Sequence, residues 1–203
     1  ILKKIIEITG YTVIKTDTPD IGNRIPSGIV GTLYDQDGLR TIHNHEFMRD
    51  PSFINAYERG VKAQGSMKRQ DSADEPYYHW HWRIYIALWV ASSASRLEGD
   101  FIECGVNKGF LSSSIMQYLD WNSLGKSFYL LDTFKGIDLS QITDEEKKVG
   151  IVEKNESWLK SGFYVSSIDS VLSNFSEWNN VYIIEGSIPD TLEKVDSNQI
   201  CYL

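Results

Sequence analysis

The segment Glu103-Cys-Gly105-Val106-Asn-Lys-Gly109 is the part of this sequence best equipped for chemistry. An acidic side chain precedes a turn with glycines at its first and last positions. Glycine reaches backbone conformations closed to other residues, so Gly105 permits a sharp turn and lets a ligand approach the main chain. Gly109 opens a helical stretch whose first N–H groups lack partners within the helix and can meet a negative group. Glu103 stands ready for a cationic one. A second carboxylate, Asp132, closes the apolar run that starts at Phe128 and is followed by Thr133, Phe134, Lys135 and Gly136. One carboxylate there can accept hydrogen bonds from two hydroxyls of a ribose. A third apolar run, from Val181 to Ile184, ends in Glu185-Gly186-Ser187-Ile188. Gly186 and Ser187 offer backbone groups and a hydroxyl, and Ile188 an apolar wall.

Each of these features alone is equally an ordinary strand-to-helix turn or a turn-forming Asp. Their succession at three strand ends points to a nucleoside-bearing cofactor. A dinucleotide fingerprint needs G-x-G-x-x-G. The spacing here is G-x-x-x-G behind an acidic residue, which favours S-adenosylmethionine over NAD. A Walker-type phosphate loop is absent from the sequence.

The elements that must position these residues follow from periodicity. Trp80 to Leu97 carries few charges and reads as a largely buried helix. Phe101-Ile102 reads as a strand, Phe110 to Trp121 as a helix, and Phe128 to Leu131 as a strand. Thr143–Lys148 and Ile168–Phe175 read as helices, Val181–Ile184 as a strand, Pro189–Val195 as a helix start and Ile200 onward as a strand. This alternation predicts an α/β fold with a doubly wound, Rossmann-like parallel sheet over residues 77–203. In such sheets the ligand binds at the carboxyl ends of the strands. Residues 1–76 read as an N-terminal extension and lid, mostly helical or irregular. Leu2–Ile8 has helical spacing ended by Gly10, and Tyr11–Ile14 reads as a short strand. Asp50-Pro51 opens a helix with Phe53, Ile54, Tyr57 and Val61 on one face. Gln64–Pro76 is polar and reads as a mobile lid.

Composition narrows the function classes. The chain has 203 residues, 41% hydrophobic and 24% charged, which suits a packed α/β domain. A net charge of -8 and a pI near 5.0 repel polyanions, so nucleic acid is not the expected partner. No run approaches the ~20 apolar residues of a membrane span, and no signal peptide opens the chain. A cytoplasmic protein acting on a small molecule is the expectation, and a homo-oligomer is compatible with it. Cys104 and Cys201 sit in apolar runs and read as reduced core thiols. The chain stops at Leu203 inside a strand-like segment, from which a C-terminally truncated domain is expected.

LEGDFIECGVNKGFLSSSI, then FYLLDTFKGID, then VYIIEGSIPDTL resemble the macrocin O-methyltransferase family over about Arg83 to Leu203. The resemblance implies a class I S-adenosylmethionine-dependent methyltransferase acting on a hydroxyl of a small molecule, such as a sugar of a natural product. It implies that Glu103, Gly105, Val106 and Gly109 surround the methionine part. It places Asp132, Thr133 and Phe134 at the ribose, and Gly186 and Ser187 near the adenine. It also implies a magnesium ion, whose ligands, with the catalytic base, come from the end of the fourth strand and from later segments. No catalytic residue or metal ligand is therefore assigned within this chain. Two other readings of the fold are a NAD-dependent oxidoreductase or epimerase and a non-catalytic nucleoside-binding remnant.

Weaker signals read as structural. His43/His45 and His79/His81 face one side only on a strand, and no carboxylate is placed with either pair. Tyr77, Tyr78, Trp80 and Trp82 read as packing. Ser112-Ser113-Ser114 reads as helix surface and packing, and Asp144–Lys148 as a solvated helix face.

Overall fold

The computed structural model describes residues 34–36, 39–41, 46–65 and 80–203. The features read at Leu2–Ile8, Tyr11–Ile14, His43, His45, Tyr77, Tyr78, His79 and over 66–76 lie outside these residues, as does the boundary at 76/77. Two short antiparallel strands come first, β1 (Tyr34–Gln36) and β2 (Leu39–Thr41). A 3-10 turn over Glu46–Arg49 leads into α1 (Pro51–Gln64). The Asp50 carboxylate caps α1 by accepting the Ser52 N–H at 2.8 Å, and Pro51 stands where its missing N–H costs nothing. Then follow α2 (His81–Ala94), β3 (Asp100–Cys104), α3 (Phe110–Tyr118) and β4 (Phe128–Asp132). Next come α4 (Asp144–Lys148), α5 (Ile151–Lys160), α6 (Asp169–Phe175) and β5 (Val181–Glu185). A 3-10 turn over Asp190–Lys194 precedes β6 (Ile200–Tyr202).

β3 to β6 form one parallel sheet in the order β5-β4-β3-β6. Phe128 to Asp132 run in register with Val181 to Glu185, and Phe101 to Cys104 with Phe128 to Leu131. The chain winds outward from β3 through β4 to β5, then returns to place β6 on the other side of β3. That reversal makes the doubly wound α/β arrangement expected from the alternation. β4 is central, and Phe128, Tyr129, Leu130 and Leu131 are all buried, as a strand covered on both faces requires. Alternate side chains divide between two clusters. Phe101, Phe128 and Leu130 join the large core with residues of α1, α2, α3 and α6. Ile102, Tyr129 and Leu131 face the other way, onto Ile184, Ile188 and Val195.

α1 belongs to the large core through Phe53, Ala56 and Tyr57. It lies very close to α3: a Cβ at Gly60 would come within 2.3 Å of Ser114 Oγ and 2.8 Å of the Phe110 ring. The three serines of α3 are fully buried, not partly on the surface. Each finds a partner. Ser112 is hydrogen-bonded to Glu103, Ser113 Oγ accepts from Asn174 Nδ2 at 2.9 Å, and Ser114 Oγ donates to the Phe110 carbonyl at 2.9 Å. Small polar side chains that can bond locally are what so tight a helix crossing admits.

Other expectations need correction. Cys104 is exposed at the end of β3, whereas Cys201 is half-buried against the large core. Ile54 is 39% exposed, since α1 turns Phe53, Ala56, Tyr57, Gly60 and Gln64 inward. Gln64 is buried at the end of α1 instead of opening a lid. α2 is predominantly apolar, yet only Ile84, Leu88, Ala91 and Ala94 are buried, and Trp89 is 62% exposed. α5 was not legible, because its one buried residue is the polar Asn155. Asp144–Lys148 is solvated as expected, with a capping box between Thr143 and Glu146.

Candidate functional site

The carboxyl ends of β3, β4 and β5 surround a cavity of about 370 Å³. Gly105, Asp132, Thr133, Gly186 and Ser187 all line it, with Ile188. Five residues chosen from three separate stretches of sequence thus meet at one place. Glu103, Gly105 and Val106 line a second cavity of about 250 Å³ beside α2. Gly105 and Asn107 line both, so the turn after β3 separates two adjoining spaces. Gly109 and Phe134 line neither of these cavities. Gly109 is packed against Phe175, where a Cβ would come within 2.4 Å of the ring, and Phe134 is 1% exposed.

The turn is built by backbone hydrogen bonds. Gly105 N–H donates to the Leu131 carbonyl at 2.8 Å and Gly186 N–H to the Asp132 carbonyl at 2.9 Å, which carries the sheet ladder one step past each strand. Gly105 has φ +94, in the left-handed half of the map, and a Cβ there would meet no protein atom within 4 Å. Its missing side chain opens onto the cavities, not onto a neighbour. Gly105 therefore serves the turn and the space for a ligand together.

Asp132 is held from two sides. Its Oδ1 accepts the Phe134 N–H at 2.8 Å and its Oδ2 accepts the Asn107 N–H at 2.7 Å. A carboxylate has about four lone-pair sites, so each oxygen keeps capacity toward the cavity. Phe134 has φ 52 and Asn107 φ 53. For a bulky residue such as Phe the left-handed region is strained, and such strain concentrates at functional sites.

Glu103 is half-buried and lines the second cavity. Burial, reinforced by the nearby negative charge of Asp132 and opposed by hydrogen bonding at Ser112, pushes its carboxyl up to about 8. It is protonated at neutral pH, poised to ionise when a cation arrives. Tyr164 lines the first cavity, and burial, with the Asp132 charge, raises its hydroxyl above the ordinary value.

Three contributors escaped sequence reasoning. Asn107 bridges the turn to the loop after α5: its Nδ2 donates to the Phe163 carbonyl at 2.9 Å and its Oδ1 accepts the Val165 N–H at 2.9 Å. The available signal was an Asn between two turn glycines, since Asn tolerates the left-handed region. Asp138 lines the first cavity and is hydrogen-bonded to Ser187, which with Ser140 holds its carboxyl below the usual range. Gln141 donates to the Ile188 carbonyl at 2.8 Å and ties the same loop to the end of β5. Nothing in the spacing of 137–165 announces these contacts, because they depend on how α4 and α5 return the chain to the sheet.

Among the described residues, no three His, Cys, Asp or Glu side chains come together as a metal site. His81 stacks on Tyr57 at 4.1 Å instead. No described helix is long and apolar enough to cross a membrane.

No protein-family model matches the chain, and no curated protein matches it by sequence. Solved structures do. One is described as the structure of the O-methyltransferase NovP, with a TM-score of 0.51 and 16% identity over 77% of this chain and 70% of that one. The chain shares with that methyltransferase a Rossmann-like α/β fold. At this identity the likeness speaks for the architecture, a Rossmann-like sheet with its helices, and leaves the reaction to the site itself.

Proposed function

We propose that this chain binds S-adenosylmethionine across the two adjoining cavities and serves methyl transfer to a hydroxyl of a small molecule. The observation that carries the reading is the pair of carboxylates, Glu103 and Asp132, set on either side of the open Gly105 turn. A first cavity of about 370 Å³ lies within the range of small-ligand sites. Asp132, fixed by two backbone N–H groups, presents its remaining lone pairs to the ribose hydroxyls. Gly186, Ser187 and Ile188 give the base a wall at the end of β5. Glu103, in the second cavity, faces the ammonium of the methionine part and ionises as that cation seats, releasing its proton to solvent. Val106 supports the turn from beneath, 3% exposed.

When bound, this cofactor supplies an electrophilic methyl on a sulfonium. The protein's part is to orient it and keep the carboxylates placed, the positioning that accounts for much of such catalysis. The acceptor in this reading is a small hydroxylated molecule, and the resemblance favours a sugar. The described residues do not form the magnesium site that the resemblance implies, so no step is routed through a metal.

The experiment is a thermal-shift comparison. S-adenosylhomocysteine at 100 times its dissociation constant stabilises a folded protein by about 2.7 kcal/mol. Stabilisation by S-adenosylhomocysteine but not by NAD supports the proposal. Stabilisation by NAD alone favours the oxidoreductase reading and overturns it.

A further inference from the structure

Tyr164 stands in the lining of the first cavity, on the stretch that joins α5 to α6. Its place is fixed from both sides. The Phe163 carbonyl before it and the Val165 N–H after it are both taken by the Asn107 side chain, at 2.9 Å each. Asn107 in turn gives its own N–H to Asp132 Oδ2 at 2.7 Å. One residue thus ties Tyr164 to the carboxylate at the end of β4. The Tyr164 ring meets Trp158 edge-on at 5.2 Å and lies beside Phe163 at 5.4 Å. Gly136 makes room for it: a Cβ there would come within 3.3 Å of Tyr164 Cδ2.

The three hydroxyls of the lining differ in what they have left to give. Thr133 Oγ1 donates to the Gly136 carbonyl, and Ser187 Oγ to Asp138 Oδ2. A hydroxyl has one proton, so both are committed within the protein. The Tyr164 hydroxyl has no hydrogen-bond partner among the described residues. It lies near enough to Asp132 to feel its charge. Once a ligand displaces water from the cavity, a hydroxyl left unpaired is costly, so a ligand that fits brings an acceptor to it.

A ribose hydroxyl is donor and acceptor at once, whereas the Asp132 carboxylate only accepts. Resting on the reading of this cavity as the adenosine end of the cofactor site, we infer that Tyr164 is a binding and specificity-determining residue. Its hydroxyl donates to the oxygen of a ribose hydroxyl whose own proton goes to Asp132. The two residues together demand a hydroxyl that gives and receives at one carbon, and a deoxyribose lacking it leaves both unpaired.

The test is calorimetric titration of the full chain with S-adenosylhomocysteine and its 2′-deoxy and 3′-deoxy analogues. The parent is expected to bind at least one deoxy analogue tenfold or more weakly than S-adenosylhomocysteine. Tyr164→Phe keeps the ring against Trp158 and removes only the hydroxyl, so the melt of the unliganded variant should match the parent's. The variant is expected to bind S-adenosylhomocysteine about three- to tenfold more weakly and that deoxy analogue as the parent does. A parent that binds both deoxy analogues as tightly as S-adenosylhomocysteine overturns the inference. An equal loss on all three ligands in Tyr164→Phe does so too, because a wall residue acting through packing gives that result. Unchanged S-adenosylhomocysteine binding in the variant overturns the inference and leaves the cofactor reading standing. A parent that binds no S-adenosylhomocysteine removes that reading and the inference together.

Discussion

The two carboxylates at the strand ends differ in what holds them, and their variants should differ accordingly. Glu103 is half-buried and protonated near neutrality, with its carboxyl pushed from 4.5 up to about 8. An acid whose folded value exceeds its unfolded one binds its proton more tightly in the native state. Its contribution is therefore complete below pH ~4.5 and is lost progressively as pH rises toward about 8. Glu103→Gln should remove this fall, so the difference in melting temperature between variant and parent should grow from pH 5 to pH 8. A parallel pair of curves would show that the carboxyl is not desolvated as described. Calorimetry adds a second reading at pH 7. S-adenosylhomocysteine binding to the parent should release a proton, seen as a dependence on buffer ionisation enthalpy, and binding to Glu103→Gln should not. Asp132 is different: it accepts two backbone N–H groups. Asp132→Asn turns an acceptor into a group with donors facing them, so cofactor affinity should fall and the turn should loosen together. The expected loss is tenfold or more, about 1.5–3 kcal/mol for a hydrogen bond to a charged group. Unchanged affinity by titration would leave Asp132 a turn former only.

At the scale of elements, strands were legible and the returns between them were not. The apolar runs at Phe128–Leu131 and Val181–Ile184 announce strands through composition alone, β4 buried and β5 a half-buried edge, and the residues that end them follow directly. That is why Gly105, Asp132, Thr133, Gly186 and Ser187 could be picked from sequence and found lining one cavity. The wall made by Tyr164, Val165 and Asp138 had no such signal. Its position rests on Asn107 and on Asn155, a buried side chain that accepts the Ile137 N–H at 2.9 Å. A lone polar residue on an exposed-looking helix gives no periodicity to read. The Asn107 bridge makes a prediction of its own. Asn107→Gly keeps the left-handed turn but frees the loop that follows Lys160. Trypsin should then cut after Lys160 faster than in the parent, while the global melt moves by only about 1–3 kcal/mol. Saturating S-adenosylhomocysteine should slow cleavage in the parent more than in the variant. Equal cleavage rates would mean that the loop is held by Phe163 and Tyr164 packing on Trp158 instead.

For the molecule as a whole, the notable point is how far α1 is built into the half that carries the parallel sheet. Sequence character changes near residue 77, which invites a division there, and α1 carries few of the signals of a core element. Yet Phe53, Ala56 and Tyr57 sit in the same core as Phe101, Phe128 and Phe110. Tyr57 meets the Phe110 ring edge-on at 5.5 Å, and Gly60 lets the α1 backbone settle onto Ser114. Arg59 reaches further, donating to the Asn174 carbonyl at 2.7 Å and pairing with Glu177 across to the end of α6. Gly60→Val should thus force the helices apart, costing about 1–3 kcal/mol by overpacking. Removing α1 altogether is the stronger test. It strips cover from Phe110 and leaves Ser114 of α3 facing water. A fragment of residues 77–203 should lose the single cooperative melt and bind a hydrophobic dye, as a chain does when its sheet survives but its core is open. On the proposed function it should also lose S-adenosylhomocysteine binding, since Gln64 of α1 lines the second cavity and its carbonyl accepts from Lys108 at 3.3 Å. A fragment that melts cooperatively near the temperature of the full chain would show instead that the sheet and α3 suffice, and that α1 is an addition to a finished domain.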